Sequence, residues 1–300
     1  MQQHLFFSDD PLQAISPMLE LGAYERLWLD GKRPSFPKLA RIFRDARWPL
    51  PSELVTLDPA DSLATARDAR QSLLQAGITD FGVRLPAMID YPNRLRDAQN
   101  PVELLYFRGD WALVESPLVA VVGTRQASAD GLRQARKIAG GLAADGWTIV
   151  SGLADGIDTA AHEAAVAAGG RTIAVLGTPL SVRYPAKNSA LVEKIAREHL
   201  VLSQVPVLFY KNAPHQERRG YFVERNATMS ALAKASIIVE AGETSGTLHQ
   251  ARAALAQGRQ LLILDSCFRS AWPHPLVERG AIRVRDVDEI RERLQAADSN

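Results

Sequence analysis

The chain has 300 residues, of which 46% are hydrophobic and 23% charged, and its formal net charge is only +1. This is the composition of a globular protein, and the length predicts about two domains. No apolar run is long enough to span a membrane, and the first residues lack the basic and apolar regions of a secretory signal. The single cysteine excludes an internal disulfide framework and a cysteine-cluster zinc site. We therefore expect a soluble, cytoplasmic protein.

Residues 1–84 predict a helical N-terminal region. Five prolines between residues 34 and 59 divide it into short segments. A longer helix is predicted over residues 63–76, because apolar residues recur there at helical spacing and the series ends at Gly77, a common helix terminator. The apolar stripe of this helix consists of Leu63, Ala66, Ala69, Leu73 and Leu74.

Residues 85–290 follow a different pattern, in which strands alternate with helices. Short apolar runs without polar alternation are typical of strands that are buried on both faces of a parallel sheet. They occupy residues 118–122, 147–151, 171–176, 199–203, 236–240 and 260–264. Helical patterns lie among them at 131–144, 159–168, 190–197 and 247–257. The alternation predicts a doubly wound α/β domain with a mostly parallel sheet, followed by a polar C-terminal end at 291–300.

Ligands of doubly wound sheets bind at the carboxyl ends of the strands. The nearly neutral charge leaves nucleic-acid binding open, because a basic groove can lie on a balanced chain. After the first strand, Gly123 permits a sharp turn, and the next helix offers unpaired N–H groups to an anion. Arg125 adds a guanidinium suited to phosphate, and Thr124 and Ser128 complete this candidate site. A plain strand-to-helix turn is the alternative.

The second candidate loop, residues 151–158, contains two glycines and two aspartates at a strand end. We expect Asp158 to cap the following helix through its side chain. His162 follows one helical turn later, and a catalytic interpretation would make it a base that Asp158 orients. Because the sequence places no nucleophile, we favour a structural hydrogen bond that fixes the loop, and we assign no catalytic residue.

Two further regions offer ligand-binding side chains. In residues 183–188, Arg183 and Lys187 supply charge and Tyr184 offers a face for base stacking, although a solvated loop is the alternative. Residues 222–226 are predicted to form a polar loop beside 240–248, where a helix N-terminus offers a second phosphate cradle. Simple helix capping is the alternative there. The candidate contacts in these regions are Lys187, Asn188, Arg225, Asn226, Ser245, Gly246 and Thr247.

Seven motifs, taken in this order, resemble those of the DprA/Smf family of DNA-processing proteins. Each is modest alone, but seven in register are specific, and the match covers about residues 71 to 284. The motifs are Tyr91-Pro92-Asn-Arg-Leu95, Gly123-Thr-Arg125, residues 151–158 with Ala161-His162, residues 172–177, Tyr184-Pro-Ala-Lys-Asn188, Arg225-Asn226 and residues 240–248.

The resemblance implies an extended Rossmann-like domain that binds single-stranded DNA along a positively charged face. It further implies that the protein protects DNA and passes it to a RecA-type recombinase, in natural transformation or a related pathway. It implies no cofactor and no enzymatic activity. By motif position, Arg125, Lys187, Arg225 and Asn226 are the expected DNA contacts.

Departures from the family pattern also occur. Asp130 replaces a tyrosine beside the supposed phosphate site, Gln204 replaces a glutamate, and Ala227 replaces an arginine. The C-terminal winged helix of many members and a clean helix-hairpin-helix pattern are missing from this sequence. A diverged member that works in another pathway, such as defence against mobile DNA, is therefore an alternative.

A nucleotide phosphoribohydrolase similar to the LOG proteins is the enzymatic alternative. Gly246 and Thr247 match the signature of that group, but Gln250 stands where its catalytic glutamate should be. Glycosidic cleavage needs a carboxylate to stabilise the cationic sugar, which an amide cannot do. A nucleotide sensor, which binds a mononucleotide without turnover, would use the same pocket.

The resemblance assigns dimerisation to the last part of the Rossmann unit, and residues 260–276 are the candidate contact. This segment is more apolar than one sheet strand requires. We expect Phe268, Trp272 and Leu276 to be exposed, since aromatic residues beside prolines are typical of interface anchors. Coverage of the sheet edge within one chain is the alternative to a homodimer.

Overall fold

The computed structural model describes residues 15–30, 35–56 and 58–296. The chain divides into two compact units. Unit 1 comprises Met1–Phe107, Thr178–Val182 and Ser203–Tyr221, and unit 2 comprises Arg108–Gly177, Arg183–Leu202 and Phe222–Asn300. The sequence boundaries at residues 84 and 290 stay predictions, and part of the polar C-terminal end, residues 297–300, lies outside the described residues.

The elements are numbered in chain order. The helices are α1 (Pro17–Asp30), α2 (Phe36–Asp45), α3 (Pro51–Leu54), α4 (Pro59–Gln75), α5 (Asn93–Arg96), α6 (Ala129–Ala144), α7 (Ile157–Ala167), α8 (Ser189–Glu198), α9 (Val207–Asn212), α10 (His215–Leu232), α11 (Thr247–Ala256), α12 (His274–Val277) and α13 (Val287–Ala296). The strands are β1 (Gly82–Arg84), β2 (Leu105–Gly109), β3 (Leu118–Gly123), β4 (Thr148–Ser151), β5 (Arg171–Leu176), β6 (Leu200–Ser203), β7 (Ala235–Glu240), β8 (Gln260–Leu264) and β9 (Ile282–Val284). Every helix in the described part of the chain is too short or too polar to cross a lipid bilayer.

Unit 1 is mainly helical, with β1 antiparallel to β2. Helices α1 and α4 pack closely, because a Cβ atom added at Gly22 would lie only 1.7 Å from the carbonyl oxygen of Ser62. The helix predicted to end at Gly77 is confirmed by α4. Of its predicted apolar stripe, Leu73 is buried but Leu74 is exposed. Consecutive helical residues point about 100° apart, so both could not face the same side.

One buried carboxylate helps to organise unit 1. Glu25 is fully buried, and its carboxylate accepts hydrogen bonds from the Tyr106 hydroxyl at 2.5 Å and from the backbone N–H groups of Val207 and Leu208 at 2.7 and 3.0 Å. Burial raises the pKa of Glu25, although these donors oppose the shift. The carboxylate therefore satisfies the N–H groups at the start of α9, which would otherwise be buried without acceptors.

Unit 2 is built on a sheet with the strand order β6-β5-β4-β3-β7-β8-β9. The pairs β3–β4, β3–β7, β4–β5, β7–β8 and β8–β9 are all parallel. Apolar side chains of these strands pack against α6, α7 and α13 in one buried core. The predicted doubly wound, mostly parallel α/β fold is therefore confirmed, as are all six predicted strands.

Two features of unit 2 differ from the sequence predictions. Residues 222–226 were expected to form a loop but lie within α10, an 18-residue helix. This helix was missed because its apolar residues do not form a clear stripe. Strand β9 was also missed, since three residues are too few to show a pattern.

The predicted exposure of Phe268, Trp272 and Leu276 is wrong, because Leu276 is buried and both aromatic residues are half-buried. The indole Nε1 of Trp272 donates a hydrogen bond to the carbonyl oxygen of Ala241 at 3.0 Å. The ring of Phe268 contacts His274 edge-on, with 5.6 Å between centroids. These contacts lie within one chain and favour the alternative interpretation, in which the segment covers its own sheet edge.

Candidate nucleic-acid interface

The candidate loops lie at one edge of the unit 2 sheet, because β5, β4, β3 and β7 are successive neighbours and parallel. The loops are packed without room for extra atoms. A Cβ added at Gly123 would lie 2.5 Å from Ile157 Cγ1, and one at Gly156 would lie 2.4 Å from the carbonyl oxygen of Thr124. Gly156 also has a φ of +78°, which glycine adopts without strain. Close packing of the neighbouring loops therefore requires glycine at position 123, which is itself the last residue of β3.

Arg125, Tyr184 and Phe222 form an arginine–aromatic cluster at this edge. The Arg125 guanidinium lies 5.5 Å from the centre of the Phe222 ring and 6.0 Å from that of Tyr184. Its Nη1 atom donates a hydrogen bond to the Tyr184 hydroxyl at 3.2 Å. The two ring centres are 5.5 Å apart, and the rings are tilted by 59°. Three side chains from three separate segments therefore share one surface.

The cluster is open to solvent. Tyr184 is 45% exposed, and Arg125 is exposed as well. Phe222 is half-buried and fits against Gly177, where a Cβ would come within 2.4 Å of its ring. Aromatic faces on which bases stack, combined with cations that contact the backbone, are what single-stranded nucleic-acid binders present. The arginine–aromatic cluster has both an exposed aromatic face and a cation.

Arg225, a predicted DNA contact, is instead buried beneath this surface. Only 4% of it is exposed, and its Nη1 donates hydrogen bonds to the carbonyl oxygens of Gly152 and Val175 at 2.5 and 2.7 Å. Burial lowers the pKa of Arg225 to about 10, so the guanidinium stays charged at neutral pH, and nearby Asp158 opposes the shift. Arg225 therefore ties the ends of β4 and β5 together, and the predicted surface role does not fit this position.

Asp158 lies in the same buried layer. Its Oδ1 accepts a long hydrogen bond, 3.4 Å, from the backbone N–H of Gly123. Burial raises the pKa of Asp158, and the charge of Arg225 partly offsets this. The predicted capping position is wrong by two residues, because Gly156 precedes α7 and Asp158 is already helical. Asp158 instead fixes the turn after β3.

The contact between His162 and Asp158 that a catalytic interpretation requires is not the one the structure shows. His162 Nδ1 lies 2.7 Å from Thr172 Oγ1, whose hydroxyl donates to the carbonyl oxygen of Ile149 at 2.7 Å. Since that hydroxyl proton points to Ile149, the Nδ1 atom is placed to donate to Thr172 Oγ1. Burial lowers the pKa of His162 to about 3. The side chain is structural, as favoured from the sequence, but its partner is Thr172.

Asn188 and Lys187 are adjacent in sequence but have different environments. Asn188 is buried, and its amide donates to the carbonyl oxygen of Leu153 at 2.9 Å and to Thr159 Oγ1 at 2.8 Å. It therefore supports Leu153, which has a left-handed φ of 57°, rather than facing a ligand. The Lys187 side chain is 66% exposed and pairs with Asp155 at 3.0 Å. Exposed pairs of this kind contribute little energy, so the ammonium can exchange to a phosphate.

The first predicted phosphate cradle already holds an anion from the chain itself. The Glu240 carboxylate accepts hydrogen bonds from Ser128 N and Ser128 Oγ at 3.1 and 3.0 Å. Ser128 Oγ in turn caps α6 by accepting from Gly131 N at 2.9 Å. A Cβ at Gly131 would lie 1.7 Å from Glu240 Oε2. The positive end of α6 is thus neutralised internally, and the predicted role of Ser128 as a phosphate ligand does not fit this contact.

The second predicted cradle, at the start of α11, is held by local hydrogen bonds. Thr247 N donates to Ser245 Oγ at 3.2 Å, and the two hydroxyl oxygens are 2.9 Å apart. Asn226 Nδ2 donates to the carbonyl oxygen of Gly246 at 3.1 Å. These contacts favour the simple capping interpretation for Ser245, Gly246 and Thr247.

Gln250, which stands where the phosphoribohydrolases have their catalytic glutamate, also has a structural role. It is 1% exposed and lies 3.0 Å from Ser236 Oγ. With its amide oxygen toward Ser230 N at 3.2 Å, its nitrogen donates to the carbonyl oxygen of Asn226 at 2.6 Å. A buried amide with these partners replaces the carboxylate that glycosidic cleavage requires.

Sequence reasoning missed two residues that shape this edge. Phe222 was placed in a loop rather than on a helix, and Glu240 was not considered as an internal anion. A signal for Glu240 existed, because an acid at the end of a central strand points toward the neighbouring loop. No comparable signal marks Phe222, whose position depends on α10 packing against Gly177.

Comparison with known proteins gives consistent matches. Residues 83–295 match the family described as DNA recombination-mediator protein A. Protein Smf of Synechocystis is 41% identical over 181 residues, which are 59% of this chain and 44% of that protein. DNA processing protein DprA of Streptococcus pneumoniae is 39% identical over 205 residues, 67% of this chain and 70% of that protein. The chain therefore spans less than half the length of the Synechocystis relative.

Solved structures agree with the sequence matches. The X-ray structure of DprA from Streptococcus pneumoniae has a TM-score of 0.64 at 29% identity, covering 92% of this chain and 93% of that one. DprA from Helicobacter pylori, described for its single-stranded DNA binding mode, has a TM-score of 0.62 at 28% identity, covering 72% and 96%. The resemblance to DprA/Smf proteins is confirmed, and because the family match covers more than half of the sequence, the chain belongs to the DNA recombination-mediator protein A family.

Proposed function

We propose that this chain binds single-stranded DNA through Arg125, Tyr184 and Phe222. The observation that carries the proposal is the exposed guanidinium that lies within 6.0 Å of two aromatic ring centres. The Tyr184 face can stack on a base, which contributes about 1–3 kcal/mol per base. Arg125 can bind a neighbouring phosphate through its remaining N–H groups. The described single-stranded DNA binding of the Helicobacter pylori relative supports this assignment.

Single strands suit this surface better than duplex DNA. Bases in a duplex are stacked on one another, so their faces are not available to Tyr184. Lys187 and Arg183, both exposed, add positive charge in the loop that carries Tyr184. The cluster therefore offers an aromatic face together with positive charge, a combination that a single strand can use.

A mononucleotide is a poorer ligand at this edge. Rossmann-type folds bind nucleotide phosphates at a helix N-terminus, but the Glu240 carboxylate occupies that position on α6. A phosphate there would meet a like charge. Together with Gln250 in place of a catalytic acid, this favours a non-enzymatic DNA-binding role over a nucleotide sensor or hydrolase.

The biological role that we propose is that of the family, namely protecting single-stranded DNA and passing it to a RecA-type recombinase, as a homodimer. The curated relatives are DNA-processing proteins, which supports a role in DNA uptake, recombination or a related defence pathway. Sedimentation at micromolar concentration tests the homodimer. A strictly monomeric chain that still binds DNA tightly would contradict it.

Fluorescence anisotropy with labelled single-stranded DNA, duplex DNA and mononucleotides tests the binding proposal. We expect single strands to bind best and affinity to fall with salt, since counterion release gives a log–log slope of about −0.7 per phosphate contacted. Duplex preference, mononucleotide preference or a flat salt response would each overturn the proposal.

A further inference from the structure

Glu240 contacts both ends of the loop that follows β3, residues 124–128. Its backbone carbonyl oxygen accepts a hydrogen bond from Thr124 N at 2.7 Å. Its carboxylate accepts hydrogen bonds from Ser128 N at 3.1 Å and from Ser128 Oγ at 3.0 Å. Arg125 lies between these two points, so a single residue of β7 holds the segment that carries the exposed guanidinium.

A register shift between β3 and β7 brings Glu240 to this position. Val122 pairs with Ile238, but the next residue, Gly123, pairs with Glu240, so the register moves by one residue. A bulge of this kind changes the direction of the side chains that follow it. The two strands then come very close, because a Cβ added at Gly123 would lie 2.8 Å from the Glu240 carbonyl oxygen.

The charge of Glu240 does not suit an edge that binds a polyanion. Arg125, Arg183 and Lys187 are exposed in the two neighbouring loops, and a carboxylate near them opposes the approach of phosphates. The hydrogen-bond donors to this carboxylate are a backbone N–H and a hydroxyl group of Ser128. Its favourable contribution is therefore to the geometry of the loop.

The start of the loop has a second support, which does not depend on the Glu240 side chain. Ile157 N donates to the carbonyl oxygen of Thr124 at 3.3 Å. A Cβ added at Gly156 would lie 2.8 Å from the carbonyl oxygen of Arg125. At the other end, Ser128 is exposed. A substitution of Glu240 can therefore release the end of the loop while the strand and the start of the loop stay in place.

We propose that Glu240 is a positioning residue for DNA binding, which holds the loop after β3 so that the Arg125 guanidinium faces a phosphate beside Tyr184. A side chain on a segment that is already ordered loses less conformational freedom when it binds, and the complex is more stable for that reason. The inference rests on the proposed function, because Arg125 is the DNA contact through which Glu240 acts.

The test separates the reach of this side chain from its charge. E240D keeps the charge but is shorter by one methylene group, so its carboxylate cannot reach Ser128 unless the backbone moves. E240Q removes the charge but keeps an oxygen at the same reach, which can accept from Ser128. E243Q is the control for net charge, because Glu243 is an exposed acid just after β7.

Anisotropy titrations with a labelled single strand measure the affinity of each full-length variant, and thermal unfolding checks that each one folds. We expect E240D to weaken binding by about fivefold or more, the low end of the loss for one hydrogen bond to a charged group. E240Q should bind more tightly than E240D, and E243Q should bind no more weakly than wild type. In an R125A chain, E240D should cause no further loss, because the side chain that Glu240 positions is gone.

The outcomes separate this inference from the proposed function. If R125A weakens binding but E240D has wild-type affinity, only the inference fails. It also fails if E240D causes the same loss in the R125A chain, or if E240Q binds more tightly than wild type while E240D is unchanged, because Glu240 would then act only as a repelling charge. If R125A binds as tightly as wild type, the proposed function fails and the inference with it. Should E240D not fold, E240A compared with E240Q gives the same test.

Discussion

Arg125 and Arg225 both approach the ring of Phe222, with guanidinium-to-centroid distances of 5.5 and 5.9 Å. Arg125 is exposed and donates a hydrogen bond to an exposed tyrosine, whereas Arg225 is buried and donates to two backbone carbonyls. The family motifs treat both as DNA contacts. The comparison shows that a motif arginine can be exposed with donors available to a ligand, or can be buried and support the surface from below.

The largest effect that we expect is on the stability of an Arg225→Ala variant. Removal of Arg225 leaves Asp158 buried without its cation and leaves two carbonyls without donors. Each buried carbonyl left without its donor costs about 1–3 kcal/mol, so the two together cost about 2–6 kcal/mol of unfolding free energy. Urea unfolding measures it, with Arg125→Ala as the matched control, which should change stability by less than about 0.5 kcal/mol. An Arg225→Ala chain with wild-type stability and lost DNA binding would reverse our assignment.

The buried layer should also respond to pH through His162. Its folded-state pKa of about 3 lies below the ordinary value of 6.5. Between these values the unfolded chain binds a proton that the folded chain does not, so stability is full above pH 6.5 and falls as pH decreases. At pH 5 the loss is about 2 kcal/mol, from 1.5 units at 1.36 kcal/mol each.

The raised pKa values of Asp158 and Glu25 act in the opposite direction, because the folded state then binds protons more readily than the unfolded state. A His162→Asn variant separates the two effects, since both carboxyls remain. Unfolding free energies measured from pH 7 to 5 should fall less in this variant than in wild type. Equal pH slopes in the two proteins would show that His162 is not the responsible group.

A smaller free-energy change is expected for DNA binding when Arg125 is replaced. Arg125→Ala should weaken binding of single-stranded DNA by about 1–3 kcal/mol, the range for charge-assisted hydrogen bonds. Arg171→Ala is the control, because Arg171 is an exposed arginine at the amino end of β5, away from the candidate edge. Anisotropy titrations of both variants decide the point. Equal weakening by both substitutions would mean that Arg125 acts only through net charge.

The smallest effect concerns the hydroxyl of Tyr184. Tyr184→Phe keeps the ring but removes the 3.2 Å hydrogen bond from Arg125. Because this bond is exposed and long, we expect binding to change by less than about 0.5 kcal/mol. Tyr184→Ala should lose about 1–3 kcal/mol through lost stacking. If the Tyr184→Phe variant binds single-stranded DNA as weakly as the Tyr184→Ala variant, the hydroxyl rather than the ring is the DNA contact.

Local pattern was sufficient for the fold of unit 2. Buried parallel strands must be apolar on both faces, so runs such as 118–122 and 171–176 stand out in any reading of the chain. The requirement for glycine at position 123 was also visible, because Gly123 ends an apolar run. Helix α10 was not predicted, because its apolar residues form no single stripe. The family motifs could also be recognised from local sequence, because they consist of strand ends and the glycine turns beside them.

Which candidate residues face a ligand was decided only by the tertiary structure. Burial of Arg225 and Asn188, the contact between Glu240 and Ser128, and the approach of Phe222 to Arg125 all join segments that are far apart in sequence. A polar residue at a strand end can point to solvent or into the packed layer with the same local sequence. The sequence determined that polar groups gather at one edge of the sheet, because parallel strands end together. Packing between the loops determined which of those polar groups remain free to bind a ligand. Each buried carbonyl or N–H group needs a hydrogen-bond partner, and some of the polar side chains at this edge supply it.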